Sequence, residues 1–290
     1  MAKSKIILNQ GNLAVELLPQ FGGRISSIKV RGYDEWIAQP QSELITRSPG
    51  SDFIRPEISG WDEMVPTTDA CKSWSDGLEL PDHGEVWARS WNVDQVTNES
   101  ALLSVKLNVR TLDFSRKITL IEISDNSYEI KLQYSLHNYG DSLAPAFWSS
   151  HPLFKAEGIK RIVIGNKLDL IQTAPLERVI SQTYHPDDLD FGTSAEYWCN
   201  PDDKIESMEI FRESGDSLSL GWRSLEIPYF GIFIDNNEFG MAKVISPQPA
   251  IAYKVSERDA QASGRIKLLK SGQSITWNLS VYLNSPYNLL

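Results

Sequence analysis

The stretch Ser127–His137, SYEIKLQYSLH, alternates without interruption. Tyr128, Ile130, Leu132, Tyr134 and Leu136 fall on one face, and Glu129, Lys131, Gln133, Ser135 and His137 on the other. Strict alternation over this length is the pattern of a strand with one buried face. ALLSVKLNVRTL (101–112) reads the same way, with Leu103, Val105, Leu107 and Val109 set against Ser104, Lys106, Asn108 and Arg110. So does SITWNLSVYL (274–283), through Ile275, Trp277, Leu279, Val281 and Leu283. NLAVELLP, ISSIKVRG, RKITLIEIS, RIVIGN, SLSLGW and YFGIFID are shorter strand segments, separated by turn signals such as NQGN, ISDNS, NYGDS and LKSGQS. Only SERDAQAS (256–263) reads as helix, of two turns at most. The expectation is an all-β fold, a large antiparallel β-sandwich with long loops and little helix. No repeat or linker divides residues 1–290, which are expected to form a single domain. Residues 38–83 and 172–206 carry the weakest strand pattern and are expected to be the long loops, where sites usually sit.

Composition narrows the function. Hydrophobic residues make up 41% of the chain and charged residues 23%, as in soluble globular proteins. The opening MAKSKIILNQGN has an apolar run of only Ile6–Leu8, too short for a signal-peptide core, and no later stretch approaches a membrane span. Cys71 and Cys199 are the only cysteines, so a disulfide framework is not expected. These features predict a cytoplasmic protein with reduced thiols. The net charge of -10 repels phosphate backbones and argues against nucleic acid as a partner.

The chemistry concentrates in ELPDHGEVWARSW, Glu79–Trp91. One of only four histidines, His83, stands there among Asp82, Glu85, Trp87, Arg89 and Trp91. His151, in APAFWSSHPLF, is a lone polar ring in an apolar stretch. Each histidine alone reads as structural before catalytic; together they form a pair able to donate and accept protons near neutral pH. His137 falls on the polar side of its strand and His185 in a polar loop, both read as surface residues. Four of the nine tryptophans lie between Trp61 and Trp91, where an even spread would place about one. They are interleaved with Asp62, Glu63, Asp69, Asp76, Asp82 and Glu85. Core packing is one explanation. The other is a sugar site, in which flat rings cover the C–H face of a pyranose and polar groups take its hydroxyls. In an alternating strand Trp87, Arg89 and Trp91 would share a face. Either all three then line a groove, or both rings are buried and Arg89 pairs with an acid. Metal and nucleophile motifs are missing. His-Gly-Glu lacks the Pro-Cys-x-x-Cys partner of zinc deaminases, His-Glu-x-x-His and Gly-x-Ser-x-Gly are absent, and FGGR (21–24) does not open a helix.

These segments resemble the aldose 1-epimerase (galactose mutarotase) family over nearly the whole length. PQFGGRISSIKVRG resembles its opening strand pair, SGWDEMVPTTDAC its Trp and Pro-Thr segment, LPDHGEVWARSW its histidine-glycine motif, WSSHPLF the segment of its second histidine, and GQSITWNLSVYL its closing strand. The resemblance implies a galactose mutarotase-like β-sandwich with a groove across one sheet. It also implies an isomerase that interconverts the α and β anomers of a free aldose by acid/base ring opening, with no cofactor or metal. By motif position His151 is the acid at the ring oxygen and His83 helps to hold or polarise that oxygen. Arg89 is expected to clamp a hydroxyl, and Trp87, Trp61, Asp82, Ser246 and Gln248 to line the sugar. The family's base is a glutamate followed by proline. Here MAKVISPQPAIAY puts Ser246-Pro247 in its place, and a serine hydroxyl is too weak an acid to serve unassisted as a base. Glu63 and Glu85 are the candidate substitutes, with Asp62 a third. Three readings follow: a mutarotase-like enzyme with a small-molecule sugar as its partner, acting as a monomer or weak homodimer; a carbohydrate-binding or sensing protein that has lost its base; and a hexose-phosphate epimerase, for which Arg47, Arg55 and Arg89 are the candidate phosphate ligands.

Overall fold

The structure, a computed structural model, describes residues 5–52, 57–165, 170–174, 178–180 and 186–286, with backbone alone at 170–174 and 178–180. His185 and Arg55 lie outside the described residues. Two large antiparallel sheets face each other. The larger runs, in spatial order, Ile6–Gln10, Leu13–Leu18, Arg24–Val30, Trp61–Met64, Ser149–Pro152, Lys243–Ala250, Tyr229–Asn236, Thr193–Cys199, Leu170–Ala174 and Arg178–Ile180, with Phe154–Lys155 also paired to Lys243–Ala250. The smaller runs Ile159–Ile164, Ser207–Arg212, Ser217–Trp222, Ser274–Asn284, Ser127–Asn138, Leu112–Ser124, Ser100–Lys106 and Asn92–Val96. The short pairs Ala144–Ala146 with Lys267–Leu269, and Cys71–Lys72 with Glu79–Leu80, lie outside them. Among the described residues the one α-helix is Glu257–Ala262, whose first turn is capped by Ser256 accepting from the Asp259 N–H at 3.1 Å.

Alternation explains the smaller sheet. Tyr128, Ile130, Leu132, Tyr134 and Leu136 are all buried and pack with residues of the larger sheet into one apolar interior. Tyr134 stacks on Trp277 at 5.5 Å between centroids, and Phe114 and Trp148 complete the cluster. ALLSVKLNVRTL is the exception. The strand stops at Lys106, and 107–111 turn back into Leu112–Ser124, with Leu107 N–H donating to the Leu112 carbonyl. The Asn108 and Val109 N–H groups donate to the Glu85 carboxylate instead of to a neighbouring strand.

The two stretches expected to be loops contain central strands. Trp61–Met64 is buried at every position, as is Tyr197–Cys199 at the end of its strand. A strand covered on both faces has no polar phase, so period two disappears. Lys243–Ala250, KVISPQPA, is also central despite two prolines. It is fully paired with Tyr229–Asn236, while on its other side it meets Ser149 at Ala250 and Phe154–Lys155 at Val244–Ile245. In an antiparallel ladder alternate residues donate to opposite neighbours. Pro247 and Pro249 fall in the phase whose N–H would face residues 150–153, and there the sheet opens into a seam.

Candidate active site

The seam organises one row of side chains across the outer face of the larger sheet. His151 lies opposite Asp62 in register. The register of residues 149–155 against 243–250 is the same at both ends of the seam, Ser149 with Ala250 and Phe154 with Ile245, which sets His151 across from Gln248. Gln248 pairs with Gly231, and Gly231 with Trp198. The row therefore reads Asp62, His151, Gln248, Gly231, Trp198. Gly231 has a steric reason: a Cβ there would sit 2.8 Å from the Trp198 ring, so the indole lies over the bare backbone. Tyr253 meets Trp198 edge-on at 5.7 Å. Ser246 is on the same face two residues along its strand. Among the described residues the Gln248 Oε1, Ser246 Oγ, His151 Nδ1 and Trp198 Nε1 atoms are buried without a hydrogen-bond partner. Such groups are costly to leave unpaired, and a grouping of four along this row suits a polar ligand.

His83 reaches this row from above. The alternating strand considered for Trp87–Trp91 does not form: Val86–Ala88 make a 3-10 turn, and His83 before it sits in a turn. Gly84 allows it, since a Cβ at that position would lie 2.3 Å from the Val65 carbonyl oxygen. His83 itself adopts φ 58°, a left-handed conformation disfavoured for a residue with a side chain, of the kind that clusters at functional sites. Its N–H donates to Thr68. The imidazole stands 5.6 Å from that of His151, centroid to centroid and nearly perpendicular, and 6.2 Å from the Trp87 ring. Trp87 also borders a recess lined by Phe21, Arg24, Arg47 and Glu57.

The two histidines have different partners. His83 Nδ1 is 2.6 Å from Asp82 Oδ2. Partial burial pushes the Asp82 carboxyl up, but the hydrogen bond and charge of His83 outweigh it and leave the group below its ordinary value. Partial burial and then the Asp82 charge push the nearby Asp69 carboxyl up, against the pull of His83. His151 has no comparable anion. Asp62 is its cross-strand neighbour, yet both Asp62 oxygens accept from Arg24, at 3.0 and 2.7 Å. Burial, then the charges of His83 and Arg24, hold the His151 imidazole well below its usual range.

The other sequence candidates separate from the row. Glu63 is on the opposite face of its strand and points into the interior, where it accepts from Arg116 (2.7 Å), Trp148 Nε1 (2.7 Å) and Tyr134 OH (3.1 Å). Burial pushes its carboxyl up, with Arg116 opposing. Glu85 is buried and holds the 108–109 turn together with Arg89 at 3.2 Å. Neither glutamate is brought to the histidine pair. Trp61 packs edge-on to Phe154 in the interior, and Trp91 packs on Phe114 while donating to the Val86 carbonyl. Of the two readings of Trp87, Arg89 and Trp91, the pairing of Arg89 with an acid is the one observed. Asp82, His83, Trp87, His151, Ser246 and Gln248 remain around the site. His137 is half-buried and bonded to Ser274 on the smaller sheet. Sequence reading missed Trp198, Arg24 and Tyr253. The lone glycine inside YFGIFID was the available signal for Trp198, because a strand glycine marks a close approach.

The architecture has solved counterparts. A galactose mutarotase related enzyme from Lactobacillus acidophilus superimposes with a TM-score of 0.71 at 14% identity, covering 98% of this chain and 99% of that one. A galactose mutarotase-like protein from Lactobacillus casei gives 0.71 at 14% identity, over 97% and 100%. This chain has the galactose mutarotase-like fold. A protein from Synechocystis sp. PCC 6803 matches at 0.74 and 12% identity, over 99% and 97%. No family model matches the sequence, and no curated protein matches it. Among the described residues no helix is long and apolar enough to cross a membrane.

Proposed function

We propose that this mutarotase-like chain binds a free aldose over the His83–His151 row and interconverts its anomers by acid/base ring opening. The observation that carries the reading is the histidine pair, 5.6 Å apart, beside a row of buried unpartnered polar atoms and the Trp198 ring. Gln248 and Ser246 supply hydroxyl partners, and Trp198 and Trp87 supply apolar faces for a pyranose. Arg24, Arg47 and Arg89 are each paired with a carboxylate. That favours an uncharged sugar over a phosphorylated one, which wants unpaired cations. The carboxylate base of the resembling family has no equivalent at Ser246, and turnover on simple hexoses is accordingly expected to be slow. The test is polarimetry on freshly dissolved α-D-glucose and α-D-galactose, with binding of the same sugars followed by tryptophan fluorescence. Acceleration over the buffer rate supports the enzyme. Binding without acceleration selects the carbohydrate-binding alternative, and absence of binding removes the sugar reading altogether.

A further inference from the structure

If the site takes a free aldose, the chemistry needs one group that gives up a proton and one that accepts it, with no glutamate at Ser246 to do the accepting. We propose that His151 is the base and that His83, held by Asp82, is the acid, the reverse of the roles their motif positions imply.

The geometry around each ring leads there. Asp82 Oδ2 sits 2.6 Å from His83 Nδ1, which fixes that nitrogen as the donor to the carboxylate and assigns the transferable proton to Nε2. An anion in contact stabilises the imidazolium form. The charged and titratable groups facing His83 are Asp82 beside it, Asp69 on the turn after Pro66, whose own neighbour is Asp259 of the helix, and His151. Carboxylates outnumber cations in this set. The groups facing His151 are His83 and Arg24, with Asp62 cancelled by the two-point contact from Arg24. Cations and burial both favour a neutral ring, and a neutral imidazole with a buried, unpartnered Nδ1 is a proton acceptor in waiting. Different surroundings for two like groups are how acid and base are told from one another.

The step balances without any further reactant. His151 takes the proton of the C1 hydroxyl, the C1–ring-oxygen bond breaks as the C1 carbonyl forms, and the ring oxygen takes the Nε2 proton of His83. After rotation about C1–C2 the ring oxygen adds to the other face of the carbonyl. His83 then recovers its proton from the ring oxygen, and His151 returns its own to the C1 oxygen.

The roles predict a bell-shaped pH dependence of kcat/KM, with His151 setting the acid limb and His83 the alkaline limb. Asp82 is a positioning residue and acts only through His83. Asp82→Asn is expected to keep sugar binding, move the alkaline limb to lower pH, leave the acid limb in place and lower the rate near pH 7 about tenfold. A purely structural role would lower the whole profile without moving one limb. Asp82→Ser, with a smaller side chain at this half-exposed position, serves as the second variant. Sugar binding with an alkaline limb that stays put in both variants overturns the assignment. Wild type that binds the sugar without accelerating mutarotation overturns it as well while leaving the carbohydrate site intact, and wild type that does not bind sugar overturns both.

Discussion

Glu63→Gln tests whether the buried glutamate belongs to the interior or to the chemistry. Glu63 is fully buried and receives three donors, Arg116 at 2.7 Å, Trp148 at 2.7 Å and Tyr134 at 3.1 Å. Glutamine keeps the shape, removes the charge facing Arg116, and presents an NH2 where one of those donors now points. Arg116 is itself fully buried, with a second contact to the Gly23 carbonyl, so its charge would be left without a counterion. Breaking a buried pair from one side costs about 3–5 kcal/mol. With about 2 cal/mol/K of unfolding entropy per residue, a chain of 290 residues carries about 0.6 kcal/mol/K, so Tm is expected to fall by about 5–8 °C. Differential scanning calorimetry of both proteins measures this. Mutarotation by the folded variant is expected to stay within about threefold of wild type, since Glu63 faces away from His151. An unchanged Tm with collapsed turnover would refute the reasoning and place Glu63 in the groove.

Lowering pH supplies a second test, through His151. Its folded-state imidazole lies well below the ordinary range. The unfolded chain therefore takes up a proton that the folded chain refuses as pH falls below about 6.5, and stability drops by up to about 1.4 kcal/mol per pH unit. His151→Asn is expected to abolish that part of the slope in urea titrations between about pH 7 and pH 5; an identical slope would contradict the burial argument. Gly231→Ala puts a methyl group 2.8 Å from the Trp198 ring, and is expected to displace the indole and weaken sugar affinity at least tenfold with little change in pH profile, as read by fluorescence titration. Glu85→Gln removes one of the two acceptor oxygens shared by Asn108, Val109 and Arg89 together with the charge facing Arg89, and is expected to cost about 2–3 kcal/mol of stability in urea denaturation without altering turnover.

Much of the smaller sheet was legible because its long central strands keep a polar phase, whereas Asn92–Val96 is exposed throughout and carries no such pattern. Ser127–Asn138 is buried at alternate positions down most of its length, and a single sequence records that plainly. Of the central strands of the larger sheet, Tyr229–Asn236 was legible and its neighbours were not. Trp61–Met64 is buried throughout, and two prolines in Lys243–Ala250 argue against a central strand until the seam beside them is known. For the site, residue chemistry named His83, His151, Asp82, Trp87, Ser246 and Gln248, and left their arrangement open. The side to which a carboxylate turns is a matter of strand phase. Asp62 and Glu63 are adjacent in sequence, yet one lies under the histidines and the other under Trp148. Trp198 escaped notice because nothing near it in the chain is catalytic in character; register alone brings it to Gln248 through Gly231.

Pro247 and Pro249 have a consequence for how reliably that register is reached. A strand that slips by one residue turns its whole side-chain pattern over. For Lys243–Ala250 such a slip would aim both imide nitrogens at Tyr229–Asn236, forfeiting two ladder hydrogen bonds at about 1 kcal/mol each. It would also drive Ser246 and Gln248 into the apolar interior and lift Ile245 out of it. The two prolines thus act as keys that fit the strand in one alignment and obstruct the neighbouring ones. Residues with no proton to give or take decide whether His151 and Gln248 ever come to face each other.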